Sequence, residues 1–160
     1  MPSTTRIQDD GRTLRTYFDR VLVRCPRCDR RATVRNIEDA GTADRPYGLY
    51  RLQCESCAHR EDLAPTWYAF GNVRGQAVDP FFGAPLFLQF DTRLGTMFAY
   101  SEAHLEWLER FVSAELRERT HLDGHANSSM ASRLPRWMKL AKNRNEVLQA
   151  IRRLRATLAA

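Results

Sequence analysis

Two pairs of cysteines, Cys25 with Cys28 and Cys54 with Cys57, constrain this chain more than any other feature. Each pair is spaced C-x2-C, and thiolates at that spacing in a tight turn can both reach one metal ion. Two pairs together supply the four sulfurs of a closed tetrahedral zinc shell. The 25 residues between Cys28 and Cys54 exceed the common spacing of such motifs, but the added length only extends the hairpin between the two turns. We therefore expect one structural zinc ion, held by Cys25, Cys28, Cys54 and Cys57, with no open coordination position for water or substrate. Four metal-free cysteines, or an iron–sulfur cluster on the same ligands, are the competing readings. His59, two residues past Cys57, would be a ligand only if one cysteine were absent, and is read as a surface residue.

The surroundings of these pairs read as β structure. Val21, Leu22 and Val23 lead into the first pair, and residues Ala32 to Ile37 alternate with period two after it. Gly41, Asp44 and Pro46 mark a turn over Asp39 to Pro46, and Tyr47 to Gln53 reads as a strand entering the second pair. Further short strands are expected at Thr66 to Phe70, Leu86 to Phe90 and Thr96 to Tyr100, as a meander continuing the same sheet.

At Ser101 the period changes. Leu105, Leu108, Val112 and Leu116 recur at helical spacing, Ser101 is a suitable N-cap, and a helix is expected over 102 to 119. Pro135 suits the first turn of a short helix reaching about Lys142. Asn143 and Glu146 resemble a capping box for a last helix, whose apolar face is Val147, Leu148, Ile151, Leu154 and Leu158. The expected organisation is thus a flexible leader at 1 to 16, a zinc ribbon with extended sheet at 17 to 100, a packing helix at 101 to 120, a connector at 121 to 132, and a basic helical hairpin at 133 to 160.

Charge is segregated along the chain. Of the formal net charge of +6, the excess lies in the last segment, where Arg133, Arg136, Lys139, Lys142, Arg144, Arg152, Arg153 and Arg155 face the single acid Glu146. The chain's only two lysines are among them. Such a segment suits an acidic partner, either nucleic-acid phosphates or an acidic protein, although a solvated helix face has the same composition. No apolar run is long enough to span a bilayer, and the first twelve residues lack the apolar core of a secretory signal, so the expected location is cytoplasmic, away from membranes. Cytosolic thiols stay reduced, which again favours metal over disulfides.

Catalytic signatures are not evident: the sequence has no G-x-S-x-G elbow, P-loop or dinucleotide fingerprint, and no small-molecule substrate is suggested. His121, Asp123 and His125 form an H-x-D-x-H string that could hold a second metal, but they sit in the Gly-, Asn- and Ser-rich connector. His104 is read as a helix-surface residue. Trp67, Tyr68, Phe70, Phe81, Phe82, Phe87, Phe90 and Phe98 make an aromatic middle that could stack bases, with core packing the better reading.

The two cysteine pairs, the stretch Asp79-Pro80-Phe81-Phe82-Gly83-Ala84-Pro85-Leu86 with Ala99-Tyr100, and the tail Ser132-Arg133-Leu134-Pro135-Arg136-Trp137-Met138 together carry a resemblance. The chain resembles a family of small bacterial proteins containing a transcription-factor-IIB-type zinc ribbon. The resemblance spans most of residues 20 to 157 and implies nucleic-acid or transcription-related binding. Many members have a Cys-Cys-Gly-His-like turn where this chain has Asp91-Thr92-Arg93-Leu94-Gly95, so the resemblance implies no second zinc here. The expected fold is α+β: a zinc ribbon with a small antiparallel sheet, one long helix packed on it and a basic C-terminal helical hairpin. The expected function is zinc-dependent nucleic-acid binding in a regulatory or accessory role, not catalysis. A protein-interaction adaptor that docks an acidic partner through the hairpin is the alternative, and a subunit of an enzyme complex a third.

Overall fold

The structure, a computed structural model, describes residues 5–68, 71–73, 76–118 and 129–159. Its first half runs β1 (Arg6–Gln8), a 3-10 turn (Leu14–Tyr17), β2 (Arg20–Arg24), β3 (Arg31–Glu38), β4 (Leu49–Cys54), β5 (Arg60–Leu63), β6 (Gly71–Val73), β7 (Gln76–Val78), β8 (Leu88–Thr92) and β9 (Gly95–Ala99). Helix α1 (Glu102–Ser113), β10 (Leu116–Glu118), α2 (Met130–Arg133), α3 (Arg136–Lys139), a 3-10 turn (Ala141–Asn143) and α4 (Arg144–Leu158) follow. The chain divides into two units, Tyr17–Ser101 and the pair Met1–Thr16 with Glu102–Ala160. No helix among the described residues is long and apolar enough to cross a membrane.

In the first unit, β2, β3, β4 and β5 form an antiparallel sheet in that order. Period-two alternation decides its faces. Val21 lies opposite Val34, which lies opposite Leu52, and Val23, Ala32 and Cys54 make the next rung; all six are buried on one face. A register shift at Asn36 and Glu38 ends the β3–β4 ladder beside Gly48, whose φ of +89° and position 2.4 Å from Glu38 O at a notional Cβ leave no room for a side chain. The free edge of β2 is covered by residues 85–87 and by Tyr100: Arg24 N donates to Pro85 O, Phe87 N to Leu22 O and Leu22 N to Tyr100 O.

The expected meander takes a different form. Residues 66–68 are not strand, and 69 and 70 lie outside the described residues. β6 with β7 and β8 with β9 are separate two-stranded hairpins; the bridge Val78 to Pro85 joins the first to the segment before β8, and the bridge Val23 to Leu86 joins that segment to β2. Gln89 completes the joint with its side chain, accepting from Ala77 N and donating to Ala77 O and Leu86 O as a strand backbone would. Asp79, 1% exposed, holds the following loop: its Oδ1 accepts from Phe81 N and Phe82 N and its Oδ2 from Ala84 N. Burial raises its pKa against the pull of those amides. The loop places Phe81 in a cluster, stacked on Tyr50 at 3.8 Å and edge-on to Phe18 at 5.5 Å, with Tyr68 and Tyr100 also touching Phe18. Phe81 and Tyr68 are therefore packing residues, while Trp67 is 69% exposed.

In the second unit, α1 buries His104, Leu105, Trp107, Leu108, Phe111 and Val112, and α4 buries Val147, Ala150, Ile151 and Leu154, both at helical spacing. α1 and α4 pack together, and Arg155 pairs with Glu109 across them. Several expectations are corrected here. The helix ends at Ser113 rather than 119, because residues 116–118 turn extended and pair in parallel with β1. Leu116 continues the helical spacing of Val112 equally well as an isolated pattern, so periodicity alone misplaces it. The leader is accordingly not free over its described part: Arg6 to Gln8 pair with Leu116 to Glu118, Ser129 Oγ donates to Asp9 Oδ2, and Met130 N donates to Arg12 O. α2 lies partly inside the expected connector, capped by Ser129 Oγ accepting from Ser132 N. Asn143 precedes α4 but makes no capping hydrogen bond there; it is buried and its Nδ2 donates to Trp137 O. The short helix expected from Pro135 to about Lys142 is a single turn, α3, followed by a 3-10 turn, and the long helix of the C-terminal segment is α4.

Candidate metal centre and basic segment

Strands β2 and β4 both run antiparallel to β3 and flank it, so their C-terminal ends lie at the same end of the sheet. One cysteine turn follows each. The two turns share a backbone form: Cys25 N donates to Arg30 O and Cys54 N to His59 O, each five residues on. Asp29 and Ala58, each four residues past the first cysteine of its turn, take positive φ of 61° and 59°. This repetition places two pairs of sulfurs face to face. Cys25 Sγ lies 3.7 Å from Cys57 Sγ and Cys28 Sγ lies 3.6 Å from Cys54 Sγ, with all four sulfurs within 4.8 Å of one another.

Those separations are far beyond the roughly 2.0 Å of a disulfide, and the four cysteines are free. They match what four thiolates around one ion require, since sulfurs about 2.3 Å from a tetrahedral centre lie about 3.8 Å apart. The donor set fits as well as the spacing. Arg27 N donates to Cys25 Sγ, and the backbone N–H groups of Ser56 and Cys57 donate to Cys54, so part of the thiolate charge is met by the peptide chain.

Without an ion, Cys54 and Cys28 ionise unequally. Burial pushes Cys54 up, but the N–H groups of Cys57 and Ser56 and the thiols of Cys28 and Cys25 bring it down to about 7. For Cys28, the N–H of Arg30 pulls downward, while burial and the thiols of Cys54, Cys57 and Cys25 prevail and push it up to about 12. Four thiolates at these distances repel one another, and a divalent cation among them is what allows all four to lose their protons. The described residues thus place four cysteines to hold one metal ion. His59 stands outside this set, with Glu61 3.7 Å from its Nε2.

Lys139 Nζ donates to Ser132 O, Arg144 donates to Ala114 O at the end of α1, and Arg155 pairs with Glu109, so these cations take part in the fold. Arg144, with its Nε also buried, reads as a tie at the C-terminal end of α1, where a cation meets the negative end of the helix dipole. Arg133, Arg136, Lys142, Arg152 and Arg153 are exposed. On α4, Arg152 and Arg153 are successive and so lie about 100° apart around the helix. His104, expected at the helix surface, is instead 2% exposed, and burial lowers its pKa to about 3. Its spacing of four from Leu108 and seven from Phe111 put it in the buried stripe, a sign readable in the sequence. His121, Asp123 and His125 lie outside the described residues. Comparison of the chain with family profiles, with curated proteins and with solved structures finds no match.

Proposed function

We propose that the four cysteines hold one structural zinc ion, which makes the four-stranded sheet a zinc ribbon, and that the protein binds nucleic acid in a regulatory or accessory role. The observation that carries the metal reading is the set of four sulfurs within 4.8 Å, supported from two backbone turns of the same form. Zinc suits an all-thiolate, four-coordinate shell, and its role there is to staple the sheet, since no position is left for substrate. A structural site of this kind supports a binding module rather than an enzyme. The nucleic-acid reading rests on the excess of exposed arginine and lysine, with the C-terminal segment contributing Arg133, Arg136, Lys142, Arg152 and Arg153. Arg144, Lys139 and Arg155 also contribute to the fold.

Binding to short DNA and RNA oligonucleotides over a salt series tests this. Phosphate neutralisation releases counterions, so affinity should fall steeply and linearly on logarithmic axes between about 0.05 and 0.2 M salt. An acidic protein partner is the second reading, favoured by the same exposed cations. Absence of nucleic-acid binding in low salt, together with salt-sensitive binding to an acidic polypeptide, would establish it.

A further inference from the structure

The two cysteine turns deliver their sulfurs in unequal settings. Cys25 and Cys54, the first of each turn, are 2% and 1% exposed, whereas Cys28 and Cys57, the second of each turn, are half-buried. Each half-buried sulfur faces a buried one from the opposite turn: Cys28 Sγ lies 3.6 Å from Cys54 Sγ, and Cys57 Sγ lies 3.7 Å from Cys25 Sγ. An open recess of about 430 Å³ reaches the first turn, with Cys25 and Cys28 in its lining beside Pro26, Asp29 and Pro85. A molecule little larger than water, which takes up about 30 Å³, enters such a space freely. A structural zinc site needs four thiolates and no approach for a small molecule to reach them. Here an approach ends on two ligand residues.

An accessible sulfur beside a second, sheltered one is the arrangement in which oxidation of the first is resolved as a disulfide. A peroxide supplies the electrophilic oxygen. The Cys28 sulfur attacks it, the O–O bond breaks, the sulfur becomes a sulfenic acid and hydroxide leaves. The Cys54 sulfur then attacks the Cys28 sulfur, forming the S–S bond and expelling the second hydroxide. Each disulfide therefore costs the two sulfurs two electrons, which reduce one peroxide. For all four ligands, two peroxides give two disulfides, four hydroxides and one released divalent ion. Closing the Cys28–Cys54 pair from 3.6 Å to the roughly 2.0 Å of a disulfide is a movement of about 1.6 Å. The bond joins residues 26 apart in sequence, so it keeps the first turn tied to the end of β4 after the ion has gone. A bond within one turn, Cys25 to Cys28, would tie together nothing beyond that turn.

We propose that Cys28 is an oxidation site for a small hydroperoxide, reached through this recess and resolved by Cys54, so that the metal staple is exchanged for a disulfide across the two turns. This rests on the zinc reading given above and adds to it a class of reactant and an order among the four ligands. Cys25 and Cys57 follow as the second pair. A thiol reductant reverses the change by exchange at the disulfide, which returns four thiols able to take up an ion again.

The test uses the full chain as purified, with its zinc content measured first. Hydrogen peroxide is added at one and then two equivalents per chain, released zinc is followed with a chromogenic chelator, and remaining thiols are alkylated after an acid quench. Disulfides are then mapped by mass spectrometry. Trypsin cuts after Arg27 and so separates Cys25 from Cys28, and cleavage after Glu55 separates Cys54 from Cys57. At one equivalent the expected product is the Cys28–Cys54 disulfide, with Cys25 and Cys57 alkylated. At two equivalents Cys25–Cys57 joins it, zinc release is complete, and dithiothreitol with fresh zinc restores the starting state. Disulfides within the turns, oxidation of the four sulfurs in no order, or retention of zinc with all four thiols intact would each overturn the inference and leave the zinc site standing. A chain purified without zinc would remove the zinc reading instead, and the same map on that chain would still decide whether Cys28 and Cys54 form the first pair.

Discussion

Residues 17–101 close around four sulfurs that two like-directed strands deliver to one end of a sheet, whereas the unit of residues 1–16 and 102–160 closes around helix faces and a strand pair drawn from opposite ends of the chain. In the first, each decisive contact is made by a neighbour in the ladder: Val34 with Val21 and Leu52, Ala32 with Cys54. In the second, Arg6 meets Leu116, Asp9 meets Ser129, and Glu109 meets Arg155. The comparison separates two sources of order. A metal staple needs only correct local turns, while long-range packing needs the whole segment in place before any contact forms.

The largest effect should come from the staple. Cys54→Ser, or removal of metal by a chelator, is expected to cost the sheet unit on the order of 10 kcal/mol, the scale of a structural zinc site. Metal analysis should show loss of the bound ion, and hydrogen exchange should show loss of protection at Val34 and Leu52. Amides of Ile151 and Leu154 in α4 provide the contrast. If their protection falls equally, the two units share one cooperative transition and the comparison drawn above fails. Metal retention should also weaken as pH falls, because the thiols regain protons that the ion had displaced.

A smaller effect within the same unit comes from Asp79. Its carboxylate takes three backbone N–H groups, so in Asp79→Asn an amide nitrogen placed toward either set of donors leaves at least one of them unpaired in a buried loop. The expected cost is about 3 kcal/mol, read from denaturant unfolding, with metal stoichiometry unchanged. Retained stability would mean that the loop, and the Phe81–Tyr50 stack it positions, is held by something other than the carboxylate.

The helical unit carries its own pH response. His104 is neutral in the fold, with burial holding its pKa near 3 against an ordinary 6.5. Stability linked to it is complete above pH 6.5 and falls as the pH drops toward 3, since the unfolded chain takes up a proton that the folded chain refuses. Between pH 7 and pH 5 the loss is about 2 kcal/mol. His104→Gln, neutral throughout, should remove this slope in unfolding midpoints measured across that range. An unchanged slope would assign the acid response to the cysteine turns instead.

What the sequence made legible follows the same division. The C-x2-C pairs and the alternation of Ala32 and Val34 or Tyr50 and Leu52 give ligands and strands directly, because spacing within a turn and period two within a strand are local properties. The pairing of Arg20 with Arg35 and of Arg35 with Arg51 was hidden because these residues become neighbours only once the register is known. β10 was hidden because Leu116 fits the spacing of α1, and its true partner lies at Arg6. Asp79 lay within the stretch that carried the family resemblance, yet nothing in its spacing revealed three amides converging on one carboxylate.

The smallest effect concerns Asn143, where a plausible local signal and the observed contact disagree. As a capping residue its side-chain oxygen would accept from the first turn of α4, and Asn143→Asp would keep that bond and gain from the helix dipole. In the structure Asn143 has helical backbone angles, φ −97° and ψ −4°, and its Nδ2 donates to Trp137 O at 3.0 Å from a buried position. Aspartate has no proton to donate there at neutral pH, so the Trp137 carbonyl would lose its partner and face a carboxylate oxygen. Asn143→Ala should therefore cost about 1 kcal/mol, the net value of one buried hydrogen bond, and Asn143→Asp should cost at least as much. A capping role predicts the opposite order, with aspartate close to wild type and alanine worse. Chemical denaturation of the two variants side by side separates these outcomes, and stability of Asn143→Asp at or above wild type would return the residue to the cap.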